Sequence, residues 1–106
     1  MKQKVYIAGK LNADAAGYLQ NVSRMIRIGN ALRKRGFSVY IPCMDLLAGL
    51  VDGKMEYKDY FENNLPWLLS ADILFVMKNS TQSVGTQMEI KEFEKTGKRI
   101  VYEGQS

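Results

Sequence analysis

The sequence predicts one three-layer α/β domain, in which helices cover both faces of a four-stranded parallel sheet. Short apolar runs alternate with longer helical patterns along all 106 residues. This alternation favours parallel strands joined by right-handed helical crossovers. The length suits a single domain spanning 1–106, and an apolar content of 46% is ordinary for a globular chain. We expect the strand order 2-1-3-4, a shortened flavodoxin-like or Rossmann-like arrangement.

Seven segments are expected to form the regular structure of this domain. The strand segments are short apolar runs, and the first helical segment places apolar residues on one face and basic residues on the other. Residues 12–17 are expected to form a loop before that helix. We predict strands at 5–8, 37–41, 73–77 and 100–102, and helices at 18–35, 56–70 and 83–97.

Individual residues predict where the helices begin and end. Gly36 and Gly97 suit helix ends, because glycine adopts the left-handed conformation without a Cβ penalty. Ser83 suits the start of the third helix, because its hydroxyl can accept from a first-turn N–H group. Within the second helix we expect a break near Pro66, with Asn64 capping a second helical piece.

Composition excludes several classes of protein. The chain has no histidine, so catalysis must use carboxylates or hydroxyls, and no metal site is expected. Cys43 is the only cysteine, which excludes an internal disulfide and favours a cytoplasmic location. No apolar stretch is long enough to span a membrane. Neither a dinucleotide fingerprint nor a P-loop follows the first strand, so no cofactor is expected.

Glu89 is the residue whose position most suggests chemistry. Helical side chains lean toward the helix N-terminus, so Glu89 would lie over the turn that holds Gly85, where there is room for a ligand. The start of this helix would lie at the carboxyl ends of the parallel strands, where α/β folds bind ligands. A positioned carboxylate can act there as a nucleophile. The alternative is a solvated acid in the first half of a helix.

Further candidate residues are expected at the same edge of the sheet. Gly9 ends the first strand and would let a ligand approach the backbone. Lys10 and Arg24 can reach this edge, although Arg24 is equally explained as a solvated charge. Amides near Ser83 can bind an anion, and Asp45 is either a site acid or a turn residue. The aromatic residues that can stack on a base or pack in the core are Tyr6, Tyr18, Tyr40 and Trp67.

The sequence resembles the nucleoside 2-deoxyribosyltransferase family and its short relatives, which include the deoxynucleoside monophosphate N-glycosidases. The resemblance covers nearly the whole chain at low identity. Its most specific element is the pattern Ser-x-Gly-x-x-x-Glu at residues 83–89, at the strand-to-helix junction. The other matching positions are 5–9 (Val-Tyr-Ile-Ala-Gly), Asn21, Pro42, 71–74 (Ala-Asp-Ile-Leu) and 97–98 (Gly-Lys).

The resemblance implies hydrolysis or transfer at the N-glycosidic bond of a (deoxy)nucleoside or a nucleoside 5′-monophosphate. Glu89 would attack the anomeric carbon and displace the base, and water or a second base would then resolve the glycosyl ester. The resemblance also implies that a serine and a basic residue bind the 5′-phosphate, and that the protein forms a homodimer or larger homo-oligomer. Where the family carries a proton-donating aspartate, this chain has Asn64, which leaves Asp45 as the nearest carboxylate by position.

Two other functions are compatible with the sequence. A non-catalytic nucleotide-binding or sensing module of the same fold would explain the amide at Asn64. Nucleic-acid binding is suggested by the formal net charge of +4. We rank it last, because much of that charge lies on one helix and no recognised nucleic-acid motif is present. The expected partner is therefore a small nucleoside or nucleotide.

Overall fold

The structure, a computed structural model, describes residues 1–10, 15–42 and 57–104. Within these residues the chain forms the seven elements that the sequence predicts, in the same order. The strands are β1 (Lys4–Ala8), β2 (Ser38–Tyr40), β3 (Ile73–Val76) and β4 (Arg99–Tyr102). The helices are α1 (Ala15–Lys34), α2 (Tyr57–Ser70) and α3 (Val84–Glu94).

The four strands form one parallel sheet with the order β2-β1-β3-β4, which confirms the predicted order. The register places Val5 of β1 beside Val39 of β2 and Ile73 of β3. Because all strands run in the same direction, their carboxyl ends meet at one edge. We call this the carboxyl edge; it comprises residues 9–10, 41–42, 77–83 and 103.

Two apolar clusters cover the two faces of the sheet. Neighbouring residues of a strand point to opposite faces, and β1 shows this directly. Ile7 packs with Met25 of α1 in one cluster, while Tyr6 shares the other cluster with Leu68 of α2 and Phe93 of α3. Helix α1 therefore lies on one face, and α2 and α3 lie on the other. This arrangement confirms the predicted three-layer α/β class.

The ends of α1 and α3 differ in part from the prediction. Residues 15–17, predicted as a loop, belong to α1, because the high helix propensity of two alanines outweighs one glycine. Gly36 follows α1 with φ of 97° and ends it as predicted. Helix α3 ends at Glu94, three residues before Gly97. There the Thr96 hydroxyl donates to the Phe93 carbonyl at 2.7 Å, and Gly97, with φ of 72°, leads into β4.

Helix α2 runs without interruption from Tyr57 to Ser70, with Pro66 inside it. The predicted break near Asn64 is therefore wrong. Pro66 removes one N–H group from the helical hydrogen-bond pattern, but Leu65 and Leu68 on either side of it pack against the core. This packing keeps both turns on the sheet, and it places Asn64 in the interior of a helix and not at a cap.

Gly29 allows α1 to lie close to the sheet, and its replacement is expected to destabilise the fold. A Cβ there would collide with Cδ1 of Ile41 and would lie 3.5 Å from Cδ1 of Ile7. Overpacking costs about 1–3 kcal/mol and the helix propensity of alanine returns about 1, so we expect a net loss of roughly 1 kcal/mol for Gly29→Ala. Chemical denaturation measures this loss.

The control for Gly29→Ala is Ile41→Val, which removes the colliding methyl group. In the double variant, the valine should recover part of the destabilisation caused by the alanine, because it removes the closer of the two clashing atoms, Cδ1, and keeps Cγ1. If the losses of stability in the two single variants simply add in the double variant, the contact between Gly29 and Ile41 is not the cause of the destabilisation.

Candidate functional site

The carboxyl edge joins the end of β1 to the loop that follows β3. The backbone N–H of Lys10 donates to Oγ of Ser80 at 2.8 Å. Ser80 is buried, and its carbonyl accepts from the N–H of Ser83 at 3.0 Å. Gly9 and the start of α3 therefore lie at the same edge of the sheet and are linked through one serine.

Ser83 is the N-cap of α3, as predicted. Its backbone is extended, with φ of −71° and ψ of 128°, and its Oγ accepts from the N–H of Thr86 at 3.4 Å. The N–H groups of Val84 and Gly85 belong to the first turn, which has no carbonyl partners within the helix. Together with the helix dipole, such groups favour a negative charge at this end of α3.

Glu89 lies one turn beyond Gly85, on the same side of α3. It also stands three residues after Thr86 and four before Phe93, and both of these side chains are buried against the sheet, at 1% and 0% exposure. The Glu89 side chain is accordingly half-buried, at the border between the buried and exposed faces of the helix.

The guanidinium of Arg24 forms an ion pair with a carboxylate that is not among the candidate site residues predicted from the sequence. Its Nη2 donates to Oε1 of Glu103 at 2.8 Å, and the same oxygen accepts from the N–H of Lys78 at 2.7 Å. Glu103 continues the β4 pairing, since its own N–H donates to the carbonyl of Val76 at 2.8 Å. Arg24 does reach the carboxyl edge, but with its charge balanced by Glu103.

Gly9 is explained by packing within the protein. A Cβ at this position would collide with Sδ of Met77 and would lie 3.1 Å from its Cβ. A glycine therefore suits the packing of Met77 here, whether or not a ligand approaches the backbone. The side chain of the next residue, Lys10, is exposed, and within the described residues no ion pair involves it.

Three aromatic rings form a continuous stack on the α2 side of the sheet. The Tyr6 and Tyr40 centroids are 5.3 Å apart, and those of Tyr40 and Trp67 are 5.6 Å apart, with interplanar angles of 19° and 5°. Tyr6 is fully buried, whereas Trp67 is 57% exposed. Of the two roles predicted for Tyr6, this structure favours the core residue, because its ring packs inside the cluster and presents no surface to a base.

A small cavity lies at the outer end of this aromatic stack, at the amino ends of the strands. Its volume is about 160 Å³, and Lys4, Ser38, Trp67 and Ala71 contribute to its lining. Asp72 lies at this end too, where its carboxylate accepts from the N–H of Lys4 at 2.8 Å. The cavity therefore lies at the opposite end of the strands from Ser83.

Asn64 is buried and connects α2 to β2. Its Oδ1 accepts from the hydroxyl of Tyr40 at 3.1 Å and from Nδ2 of Asn63 at 3.3 Å. The side chain therefore has a structural role on the face that holds Tyr6. Asp45, the other predicted site acid, lies outside the described residues.

Two further findings concern metals and membranes. Among residues 1–10, 15–42 and 57–104, no group of three or more acidic or cysteine side chains is placed to hold a metal ion. In the same part of the chain, no helix has the length and apolarity that crossing a membrane requires. The candidate site therefore consists, among the described residues, of carboxylates, hydroxyls, amides and cations.

The fold and the site define a small three-layer α/β protein with a half-buried glutamate in the second turn of a helix that starts at the carboxyl edge. The chain belongs to the family described as a domain of unknown function, DUF4406, whose profile matches residues 3–102. No curated protein matches the sequence. The matched range includes every strand and helix from β1 to β4. The family therefore covers the whole sheet and leaves the activity to be inferred from the site.

Proposed function

We propose that this protein cleaves the N-glycosidic bond of a nucleoside or nucleotide, with Glu89 as the nucleophile. The observation that carries the proposal is the position of Glu89. It is half-buried, one turn after Gly85, on a helix that starts at the carboxyl edge of a parallel sheet. The resemblance of residues 83–89 to the nucleoside 2-deoxyribosyltransferase family supports the same role.

The proposed reaction proceeds by double displacement at the anomeric carbon of the sugar. A carboxylate oxygen of Glu89 forms a bond to that carbon while the bond to the base nitrogen breaks, and the base leaves with the electron pair. Water or a second base then attacks the same carbon and releases the Glu89 carboxylate. Partial burial suits the first step, since a nucleophile that water does not fully solvate and that is held in one place reacts more readily.

The leaving base must take up a proton, and Asn64 is unsuited to supply it. An amide is not an acid, and Oδ1 of this residue already accepts from Tyr40 and Asn63. We therefore propose that Asp45, which follows β2 in the sequence, donates this proton to the leaving base. Strand β2 pairs with β1, so its carboxyl end adjoins the strand that ends just before Gly9.

The alternative function is a nucleotide-binding or sensing module without catalysis. The observation that favours it concerns Asn64. This amide accepts a hydrogen bond from the Tyr40 hydroxyl at 3.1 Å, at a position where the family that the sequence resembles carries an aspartate. Such a module would use the first-turn amides of α3 and the exposed Lys10 to bind its ligand. Glu89 would then contact the sugar without forming a bond to it.

Incubation with a panel of nucleosides and their 5′-monophosphates separates the two functions. Chromatography of the products detects free base, and titration calorimetry detects binding. The glycosidase or transferase should release base from at least one substrate, at a rate proportional to protein concentration. Binding without release would favour the sensing module, and neither binding nor release would contradict both proposals.

The same resemblance supports a homodimer or larger homo-oligomer, with neighbouring subunits completing each other's pocket, and the single cysteine supports a cytoplasmic location. Light scattering in solution measures the oligomeric state. Nucleic-acid binding remains the third alternative. It would be supported by DNA affinity that falls steeply with salt, because displacement of counterions dominates such binding.

Replacing Asn64 by aspartate is expected to raise the rate of base release at least about tenfold, because a general acid typically contributes more than that. A carboxylate oxygen can still accept from the Tyr40 hydroxyl, so the contact between α2 and β2 is retained. Gln20→Glu is the control, since it makes the same amide-to-acid change at an exposed position. An unchanged or lower rate in Asn64→Asp would show that the site requires the amide.

A further inference from the structure

Glu103 occupies a position that an anionic ligand would otherwise favour. A guanidinium N–H of Arg24 and the backbone N–H of Lys78 converge on one of its carboxylate oxygens, at 2.8 and 2.7 Å. A charged guanidinium and a backbone N–H are typical donors to phosphate. Lys78 begins the loop that leads into α3 and Glu103 follows β4, so this pair of donors lies at the carboxyl edge.

The carboxylate is fixed in this position by the sheet itself. The N–H of Glu103 donates to the carbonyl of Val76 at 2.8 Å, next to the paired end of β3 and β4. Its side chain is 28% exposed and that of Arg24 is 41% exposed, so solutes can reach the pair. An incoming phosphate would meet a negative charge already hydrogen-bonded to both donors.

The other hydrogen-bond donors at the carboxyl edge do not substitute for the Arg24 guanidinium and the Lys78 N–H group. The backbone N–H of Lys10 is used by the Ser80 hydroxyl at 2.8 Å. That leaves the exposed ammonium of Lys10 and the first-turn amides of α3. These groups can bind one anion, but they supply only one full positive charge, whereas the guanidinium of Arg24 would add a second, charge-assisted donor.

We propose that Glu103 fills an anion site within its own chain and so selects a ligand that lacks a phosphate. Within the proposed function, on which this inference rests for the identity of the ligand, the substrate is the nucleoside and not its 5′-monophosphate. Glu103 acts as a specificity determinant by occupying Arg24 and the Lys78 amide. Its negative charge also repels a phosphate that approaches the same donors.

The test is titration of the protein with inorganic phosphate, which does not depend on turnover. Glu103→Gln keeps the size of the side chain and an oxygen that accepts from the Lys78 N–H, while it removes the negative charge. We expect this variant to bind phosphate at least about tenfold more tightly than the wild type, as the charge-assisted donors become available. Glu103→Ala is the second variant, with the same expectation, should glutamine disturb the turn after β4.

Three further variants show whether the gain in phosphate affinity depends on the pairing of Glu103 with Arg24. Glu94→Gln removes an exposed acid from α3 and changes the net charge equally, so it should leave phosphate affinity unchanged. Adding Arg24→Gln to Glu103→Gln should abolish the gain. Adding Arg27→Gln, which removes an exposed cation of the same helix, should preserve it. A gain of equal size in Glu94→Gln, or one that survives Arg24→Gln, would overturn the inference.

Base release from a nucleoside and from its 5′-monophosphate provides the second measurement. We expect kcat/KM of the wild type to favour the nucleoside, and Glu103→Gln to shift the ratio toward the monophosphate at least about tenfold.

Equal use of both substrates by the wild type, or tight phosphate binding by it, would overturn the inference. Increased phosphate affinity without base release from any substrate would reject the proposed function alone. Base release with no increase in phosphate affinity would reject the role of Glu103 alone.

Discussion

Glu89→Gln is expected to lower base release by at least about 100-fold while ligand binding is retained. Glutamine keeps the size of the side chain and one oxygen acceptor, but its amide cannot readily form the glycosyl ester. The loss should appear in kcat, because the bond to the anomeric carbon forms only after the ligand has bound. Titration calorimetry and a base-release assay on both proteins measure the two effects separately.

The matched control for this substitution is Glu94→Gln, an identical chemical change at an exposed position of the same helix. It should leave both binding and turnover unchanged. Glu89→Gln should also change stability by less than about 1 kcal/mol, because Glu89 lies beyond the first turn of α3, where the helix dipole acts only weakly on a charge. Undiminished base release from Glu89→Gln would reject the nucleophile assignment.

Phe93→Ala is expected to be strongly destabilising, by about 3–5 kcal/mol, as is usual when a buried aromatic ring is removed. Phe93 is fully buried and packs α3 into the cluster that contains Tyr6 and Leu68. It lies four residues after Glu89, so loss of its ring removes the packing that holds the candidate nucleophile in place. Urea denaturation followed by circular dichroism measures the change.

Met88→Ala is the control for Phe93→Ala, since Met88 lies on the same helix and is 38% exposed. Its replacement should cost less than about 1 kcal/mol, because substitutions near the surface have small effects. Comparable losses in the two variants, or a loss below about 1 kcal/mol for Phe93→Ala, would contradict the packing of α3 described above.

The fold was predictable because its determinants are local. Apolar runs such as 73–77 and the glycine at position 36 report directly on strands and helix ends, and their alternation with helices predicts a parallel sheet. The strand order was the preferred choice among several, because no local pattern determines it. The errors concern places where tertiary packing decides the outcome. Pro66 was expected to break a helix, but Leu65 and Leu68 hold both sides of it on the core.

The candidate site was predictable only where it depends on short spacing. The relation of Ser83, Gly85 and Glu89 follows from one helical turn, and the structure places them as expected at the start of α3. The pairing of Arg24 with Glu103 joins residues 79 positions apart, and no local pattern encodes it. One signal was present, since Glu103 directly follows the last predicted strand and so lies at the carboxyl edge.

The role of Asn64 was equally hidden from the sequence. Its contact with Tyr40 spans 24 positions and depends on α2 lying across β2. From the sequence, the residue suggested a helix cap and a lost proton donor. In the structure this side chain lies in the interior of a helix and accepts a hydrogen bond from a strand tyrosine. The residue that replaces the proton-donating aspartate of the resembled family therefore also connects a helix to the sheet.

The most direct test of the account is the mass of the peptide that carries Glu89, in a reaction quenched with acid during the first turnover of a substrate. Cleavage after lysine isolates residues 79–91. We expect this peptide to gain the mass of one glycosyl group in the wild type, with fragmentation assigning the group to Glu89, and to stay unmodified in Glu89→Gln. A glycosyl group on another side chain, or base release during which this peptide is never modified, would contradict the proposed role of Glu89.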